Sequence, residues 1–406
     1  MLQHRKYSID ERLVITVMGL SILNTISSAL NFKLAVVYTY IPTIYYLYIL
    51  LISFTKKGSY LDKNFLFLAL LLWTFFMLLR GFKMDFEYIR NMFISQFFFL
   101  PYTFPFVAKF FSILRIKKIY SLIHFTNICY LLLVIYLFTI SNIKFDLADQ
   151  SLVEIINHNL SFPNFLLLFS ITKLTNKQKI ISIITFLVGF YLSIITARRG
   201  LTWTYAWAGV IFLLLIYATK KRSFLNKIIF FISISILACL IVYVFSYYED
   251  SLFGNLLSRV DVDNRSDLLE DYNNSLSAYD LTFGRGIGGT YFSSVQIDLN
   301  AEGQGSNNRN VIEAGYLMMI LNGGYIYLIL LLTIYLKAIY NGIVKSNNSI
   351  AKAFSAFIFL HILELYPSGV IWFNMRFLLI WMCIAMCYSK VFLNYKDDSL
   401  FLKNNN

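Results

Sequence analysis

The chain has 406 residues, 58% of them hydrophobic and only 14% charged, with a mean hydropathy of +0.64, which excludes an ordinary soluble domain of this length. Its formal charge of +13 would point to nucleic acid in a soluble protein, but the enrichment of Lys and Arg on the cytoplasmic side of membrane proteins accounts for most of it. Cys129, Cys239, Cys383 and Cys387 all fall inside apolar runs, where cysteine is a small hydrophobe rather than part of a disulfide framework.

Apolar runs of about 17 to 23 residues recur from Leu13 to Phe392, a length that suits α-helices crossing a core about 30 Å thick rather than alternating β-strands. In chain order they predict helices over 13–30, 34–54, 64–80, 92–112, 120–141, 162–174, 180–197, 201–217, 227–247, 310–336, 351–366 and 370–393. The expected fold is an all-α integral membrane protein of about twelve spans. The first run carries Thr, Ser and Asn and has no small-residue cleavage site, so it reads as a retained helix.

Alternating sides from a cytoplasmic N-terminus, Lys56, Lys57 and Lys63, then Arg115, Lys117 and Lys118, then Lys173, Lys177 and Lys179, then Lys220, Lys221, Arg222 and Lys227 fall on the inner turns. Both termini come out cytoplasmic. The outer turns and outer helix ends carry Lys33, Lys83 and Lys144, and beside them Arg80, Arg90, Arg198, Arg199, Arg259, Arg265, Arg285, Arg309 and Arg376. Arginine binds phosphate through a planar fork, whereas lysine is a flexible point charge. An Arg-rich outer face therefore points to a phosphorylated ligand, against the simpler reading that each Arg snorkels to headgroups or pairs with an outer acid.

This divides the chain into transmembrane helices 1–9 (1–247), one large outer loop (248–309) between helices 9 and 10, helices 10–12 (310–393) and a cytoplasmic tail (394–406). The loop holds ten acidic residues and four Arg, and its apolar content, including Tyr272, Leu281 and Phe283, predicts short packed helices over at least half of it. Gly284-Arg285-Gly286-Ile287-Gly288-Gly289 lacks the strand–turn–helix setting of a nucleotide loop. It reads as a tight turn whose bare amides approach an anion beside Arg285, or as a plain glycine turn. Asp261-Val262-Asp263 matches a metal-holding pattern too short to be specific, and the four histidines show no metal-ligand spacing, so no metal and no cofactor is expected. Ala197-Arg198-Arg199-Gly200 places two cations at the mouth of a helical hairpin, and Glu313, beside Asn310, is a carboxylate that either pairs with an Arg or accepts a proton from a hydroxyl.

Three stretches in order resemble the O-antigen polymerase (Wzy) and O-antigen ligase superfamily, closest to the polymerase type. Thr196-Ala197-Arg198-Arg199-Gly200-Leu201 is similar to its Ser-Arg-Gly segment. Asn264-Arg265-Ser266 through Leu281-Thr282-Phe283-Gly284-Arg285-Gly286-Ile287-Gly288 is similar to its large outer loop. Glu313-Ala314-Gly315-Tyr316-Leu317-Met318, then Leu321-Asn322-Gly323-Gly324, resembles its next helix, with Glu313 where ligases usually have His. The likeness covers about a third of the chain. It implies a GT-C-like membrane glycosyltransferase in a bacterial inner membrane, acting on undecaprenyl-pyrophosphate-linked oligosaccharide repeats, without metal, beside a Wzz-type chain-length regulator. By that resemblance Arg198 or Arg199, Arg265 and Arg285, with the Gly286 and Gly288 turn, hold the pyrophosphate. Arg265, Arg285 and Glu313 are then the catalytic candidates, Glu313 as base with Asp85 or Glu87 in reserve. The competing expectations are the ligase, a lipid-linked oligosaccharide flippase, which would place charges mid-membrane in broken helices, and a structural or receptor-like membrane protein.

Overall fold

The computed structural model describes residues 3–30, 35–55, 64–86, 88–90, 98–108, 116–139, 147–196, 198–219, 264–294, 307–312, 314–368 and 371–395. The expected span over 227–247, the Asp261-Val262-Asp263 motif, Glu87 and Glu313 lie outside them.

The described chain is a helical bundle. Its helices are α1 (Gln3–Ala29), α2 (Ala35–Thr55), α3 (Phe65–Gly81), α4 (Phe104–Val107), α5 (Ile116–Thr139), α6 (Leu147–Ile156), α7 (Asn164–Phe169), α8 (Asn176–Ile195), α9 (Arg199–Thr219), α10 (Asn264–Ser275), α11 (Ala278–Phe283), α12 (Gly315–Tyr340), α13 (Ser349–Glu364), α14 (Met375–Tyr388) and α15 (Lys390–Asn394). Among the described residues four helical stretches are long and apolar enough to cross a membrane: Ile116–Thr139, Asn176–Ile195, Arg199–Tyr217 and Gly315–Lys345.

Helix α8 shows how this composition packs. Its exposed face is Ile180, Ile183, Ile184, Leu187 and Tyr191, while Ser182, Thr185, Gly189 and Ser193 are buried, joined near its end by Leu192 and Ile194. That pattern is the reverse of a soluble amphipathic helix. It suits an apolar solvent, where small and polar residues let helices approach and hydrogen-bond. Several buried polar groups pair across helices: Asn127 Nδ2 donates to Asn164 Oδ1 at 2.7 Å, Ser182 Oγ donates to the same oxygen at 2.7 Å, and Tyr205 Oη donates to Ser161 Oγ at 2.6 Å. Helix α3 presents Phe65, Leu68, Leu72, Phe75 and Leu79 outward at helical spacing while Asn64 caps its start.

Three expected spans take a different form. A continuous helix over 92–112 does not form in its described part, because Pro101 and Pro105 each restart the chain, first as a 3-10 turn (Leu100–Thr103) and then as α4. The span expected over 162–174 begins earlier, at Leu147, and runs through a π turn (Asn157–Ser161) into α7, where it ends at Phe169. The span expected over 310–336 begins at Gly315, breaks at Gly324 (φ +70°) and continues through a π turn to Lys345.

The described part of the loop is folded, as its apolar content predicts. Helices α10 and α11 and a two-residue antiparallel pair, β1 (Tyr291–Phe292) with β2 (Asn308–Arg309), close over the first part of α12. Tyr272, Leu276 and Tyr291 form a small core there with Leu317, Met318, Ile320 and Leu321. The glycines lock this cap to the bundle. A Cβ on Gly324 would lie 2.0 Å from Thr282 O, and one on Gly286 (φ +87°) 2.2 Å from Gly81 N. Gly324→Ala is therefore expected to destabilise the protein by about 1–3 kcal/mol, since both the left-handed backbone and the close approach exclude a side chain. Gly19→Ala, whose Cβ would meet nothing within 4 Å, should be neutral or stabilising; thermal unfolding in detergent followed by tryptophan fluorescence compares the two.

Candidate functional site

Two polar centres lie at the loop end of the bundle. The first is a cleft of about 340 Å³ lined by Arg80, Gly81, Phe82, Lys83, Arg285, Gly288, Gly289 and Thr290. Arg80 comes from the last turn of α3 and Arg285 from the glycine turn after α11. Asp280 joins them, with Oδ1 at 3.1 Å from Arg80 Nη2 and Oδ2 at 3.1 Å from Arg285 Nη2. Asp280 is placed by a reciprocal cap at the start of α11, where its amide donates to Ser277 Oγ at 3.1 Å and its carboxylate accepts from Ser277. The three cations against one carboxylate leave the cleft positive, and Lys83 makes no ion pair among the described residues. Arg80 Nη1 is buried without a hydrogen-bond partner, while its guanidinium stacks over Tyr279 at 4.5 Å.

The glycine turn differs from the expected anion cradle. The amide of Arg285 donates to Leu321 O at 2.7 Å, that of Gly286 to Asn322 O at 3.0 Å and that of Ile287 to Met77 O at 3.1 Å. These amides satisfy the carbonyls left open at the break in α12 and at the end of α3, so Gly286 serves packing rather than anion binding. Gly288 (φ +81°) lets the turn pass Phe98, whose Cζ would be 2.3 Å from a Cβ. Arg285 is likewise engaged, donating from Nη1 to Thr290 O at 2.6 Å and from Nη2 to Ser275 O and Asp280. It braces the loop and offers its charge, not an open fork, to the cleft.

The second centre was not legible as a site. Arg376, at the start of α14, is buried and ion-paired to Glu364 at the end of α13, and its Nη1 lies 2.9 Å from His158 Nδ1 in the π turn after α6. Glu364 also lies 3.5 Å from His361 Nδ1 and 3.9 Å from His158 Nδ1. Toward the surface, Glu154 Oε1 lies 3.7 Å from His158 Nε2, and Glu154 Oε2 is 3.2 Å from Arg198 Nη1. Phe162 and Phe377 cover the Arg376 guanidinium at 4.4 and 5.1 Å. Arg376 therefore does not snorkel. Two signals pointed here: an acid, Glu364, inside an apolar run, and Glu154 with His158 at i,i+4 spacing in a segment read as a turn.

Arg198 and Arg199 sit apart from the Arg285 cleft. Arg199 opens α9, is partly exposed and makes no ion pair among the described residues, and Gly200 next to it packs against Ser368. Ser368 O accepts from Gly315 N, so the first segment of α12 runs from the Arg199 corner to the glycine turn, roughly 13 Å for nine residues. Arg265 is the second residue of α10, and Asp85 is exposed. Among the described residues no group of three or more His, Cys, Asp or Glu is disposed to hold a metal ion. The chain matches no protein-family model, no curated protein and no solved structure.

Burial raises the Asp280 carboxyl, but the Ser277 hydroxyl and amide, with Arg285, outweigh it and hold its pKa below the ordinary 3.8. A depressed folded-state pKa gives stability that is complete above 3.8 and lost as pH falls through the lower folded value. The protection of the Leu281 and Gly284 amides, measured as exchange relative to the intrinsic rate at each pH, should therefore fall on acidification below about pH 4, and Asp280→Asn should lower it already at neutral pH.

Proposed function

We propose that this protein is a polysaccharide polymerase of the bacterial inner membrane, a metal-independent glycosyltransferase. It transfers a growing glycan from undecaprenyl pyrophosphate to a new lipid-linked repeat at the outer face. The observation that carries the reading is the net-positive cleft of Arg80, Lys83 and Arg285 at the loop end of the bundle, with a separate arginine corner at Arg198 and Arg199 at the other end of the first segment of α12. In this reading the chain crosses the membrane about twelve times with both termini cytoplasmic, and a Wzz-type regulator sets chain length.

The donor already carries a good leaving group. Cations that neutralise the pyrophosphate as the anomeric bond breaks supply the electrostatic stabilisation the reaction needs. Lys83 is the cation of the cleft open to that charge, with Arg80 and Arg285 held by Asp280 behind it, and Arg199 is the partly exposed cation of the separate corner. Arg265 and Glu313 remain in their proposed roles as a further pyrophosphate ligand and a base. An acceptor hydroxyl attacking opposite the pyrophosphate inverts the anomeric carbon. The exposed aromatics at the cleft, Phe82 in its lining and Tyr279 against Arg80, offer faces for prenyl chain and sugar.

A second reading has its own support. A buried ion pair, Glu364–Arg376, and a discontinuous helix, α12 broken at Gly324, are features that transporters such as a lipid-linked oligosaccharide flippase use, although here the pair lies on α13 and α14 at the loop end and not in the broken helix. Gels of surface polysaccharide from a strain lacking the gene separate the two. Core bearing one repeat and no ladder supports the polymerase; bare core supports the flippase, or a ligase where long polymer accumulates on the carrier.

Under the polymerase reading, Arg199→Ala and Lys83→Gln should shorten or abolish the ladder with membrane protein levels unchanged. Arg285→Lys should also fail, because a single ammonium cannot reach Thr290 O, Ser275 O and Asp280 together. Normal ladders in all three would sink the pyrophosphate role of these cations.

A further inference from the structure

Glu154 stands between an accessible cation and a buried network. It and its partner Arg198 are each 31% exposed, whereas Arg376 and Glu364 behind them are 5% and 1%. The tautomer of His158 follows from its neighbours. A guanidinium only donates, so His158 Nδ1, 2.9 Å from Arg376 Nη1, accepts, and the neutral ring carries its proton on Nε2, facing Glu154. Glu154 is thus held by Arg198 on one oxygen and faced by His158 on the other. Arg198 Nε is buried without a hydrogen-bond partner, so Glu154 does not saturate this guanidinium.

We propose that the Arg198–Glu154 pair is a gate: a phosphate or pyrophosphate ester displaces Glu154 from Arg198, and the released carboxylate takes the proton of the attacking hydroxyl. This rests on the polymerase reading and gives the base role assigned there to Glu313 to Glu154 instead. Phosphate offers Arg198 more charge and more acceptor oxygens than a carboxylate. A carboxylate that loses a cationic neighbour becomes more basic, so the base is switched on by the arrival of its donor substrate. In the transfer step the acceptor O–H bond breaks with its proton going to Glu154, and the hydroxyl oxygen forms the new bond to the anomeric carbon. The bond from that carbon to the pyrophosphate oxygen breaks, and its electron pair stays on the leaving group beside Arg198. His158 is a positioning residue, its ring fixed by Arg376 and, through Arg376, by Glu364.

The test is calorimetric binding of inorganic pyrophosphate to the full-length protein in detergent at neutral pH. Glu154→Gln should bind about tenfold more tightly than wild type, because the internal competitor for Arg198 is removed, and Arg198→Gln about tenfold more weakly. The Glu154→Gln strain should make no polymer. Glu154→Asp keeps the charge but withdraws it by one methylene and should tighten binding by a smaller factor, which keeps the gate testable where the Gln variant does not fold. Unchanged or weaker binding in a variant that elutes as wild type does overturns the gate, and a normal ladder in the Glu154→Gln strain overturns the base. Failure of the polymerase reading shows separately, as bare core in the deletion strain with these pyrophosphate affinities intact.

Discussion

A backbone clasp joins the loop to the bundle. Three successive amides of the glycine turn, at Arg285, Gly286 and Ile287, donate to Leu321 O, Asn322 O and Met77 O. A helix broken in an apolar surrounding leaves carbonyls that must find donors, and the turn provides them. The match demands that two backbones touch, which is why Gly81, Gly286 and Gly324 face one another's chain with no room for a Cβ. Arg80, Arg285 and Asp280 come together because of that contact, so the cleft is a consequence of the clasp.

The two polar centres solve the problem of charge in a helical bundle differently. At the cleft Arg80 and Arg285 stay partly exposed and are held by one capped carboxylate, Asp280. In the interior, Arg376 and Glu364 are withdrawn almost completely and balance each other, with His158 and His361 around them and aromatic rings over the guanidinium. Replacing only one member of such a pair leaves an uncompensated buried charge, so the pair is a constraint on the packing of α13 against α14 as much as a functional feature. The Arg198–Glu154 pair lies between these extremes, accessible from outside and connected to the interior through His158.

Much of the fold was legible because hydropathy and helical periodicity are local. Helices α2, α3, α5, α8, α9 and α13 fall where apolar runs predict them, within a few residues, whereas α1 begins at Gln3, ten residues before its apolar run, and α14 covers only Met375–Tyr388 of the run over 370–393. The misreadings have particular causes. Pro101 and Pro105 sit in an apolar run that hydropathy reads as continuous, although each interrupts the hydrogen-bond ladder. The segment from Leu147 to Ser161 is helical although Asp149, Gln150, Glu154, Asn157, His158 and Asn159 make it look like a turn; several of those polar groups face inward to partners on distant helices. At the site, Arg285 was legible as an arginine in a glycine turn, but its engagement with Thr290, Ser275 and Asp280 was not.

The sequence alone determined the class of the protein and the places where charge gathers, because composition, apolar run length and the Lys/Arg bias act residue by residue. It also marked the glycines as positions where something must come close. Only the tertiary structure decided what comes close: Gly81 meets Gly286 and Thr282 meets Gly324 across long stretches of chain. It also decided which charges are partners. Arg376 with Glu364 and His158, and Arg198 with Glu154, are pairings between helices. No local pattern encodes them, since an ion pair depends on which faces the packed bundle turns toward each other.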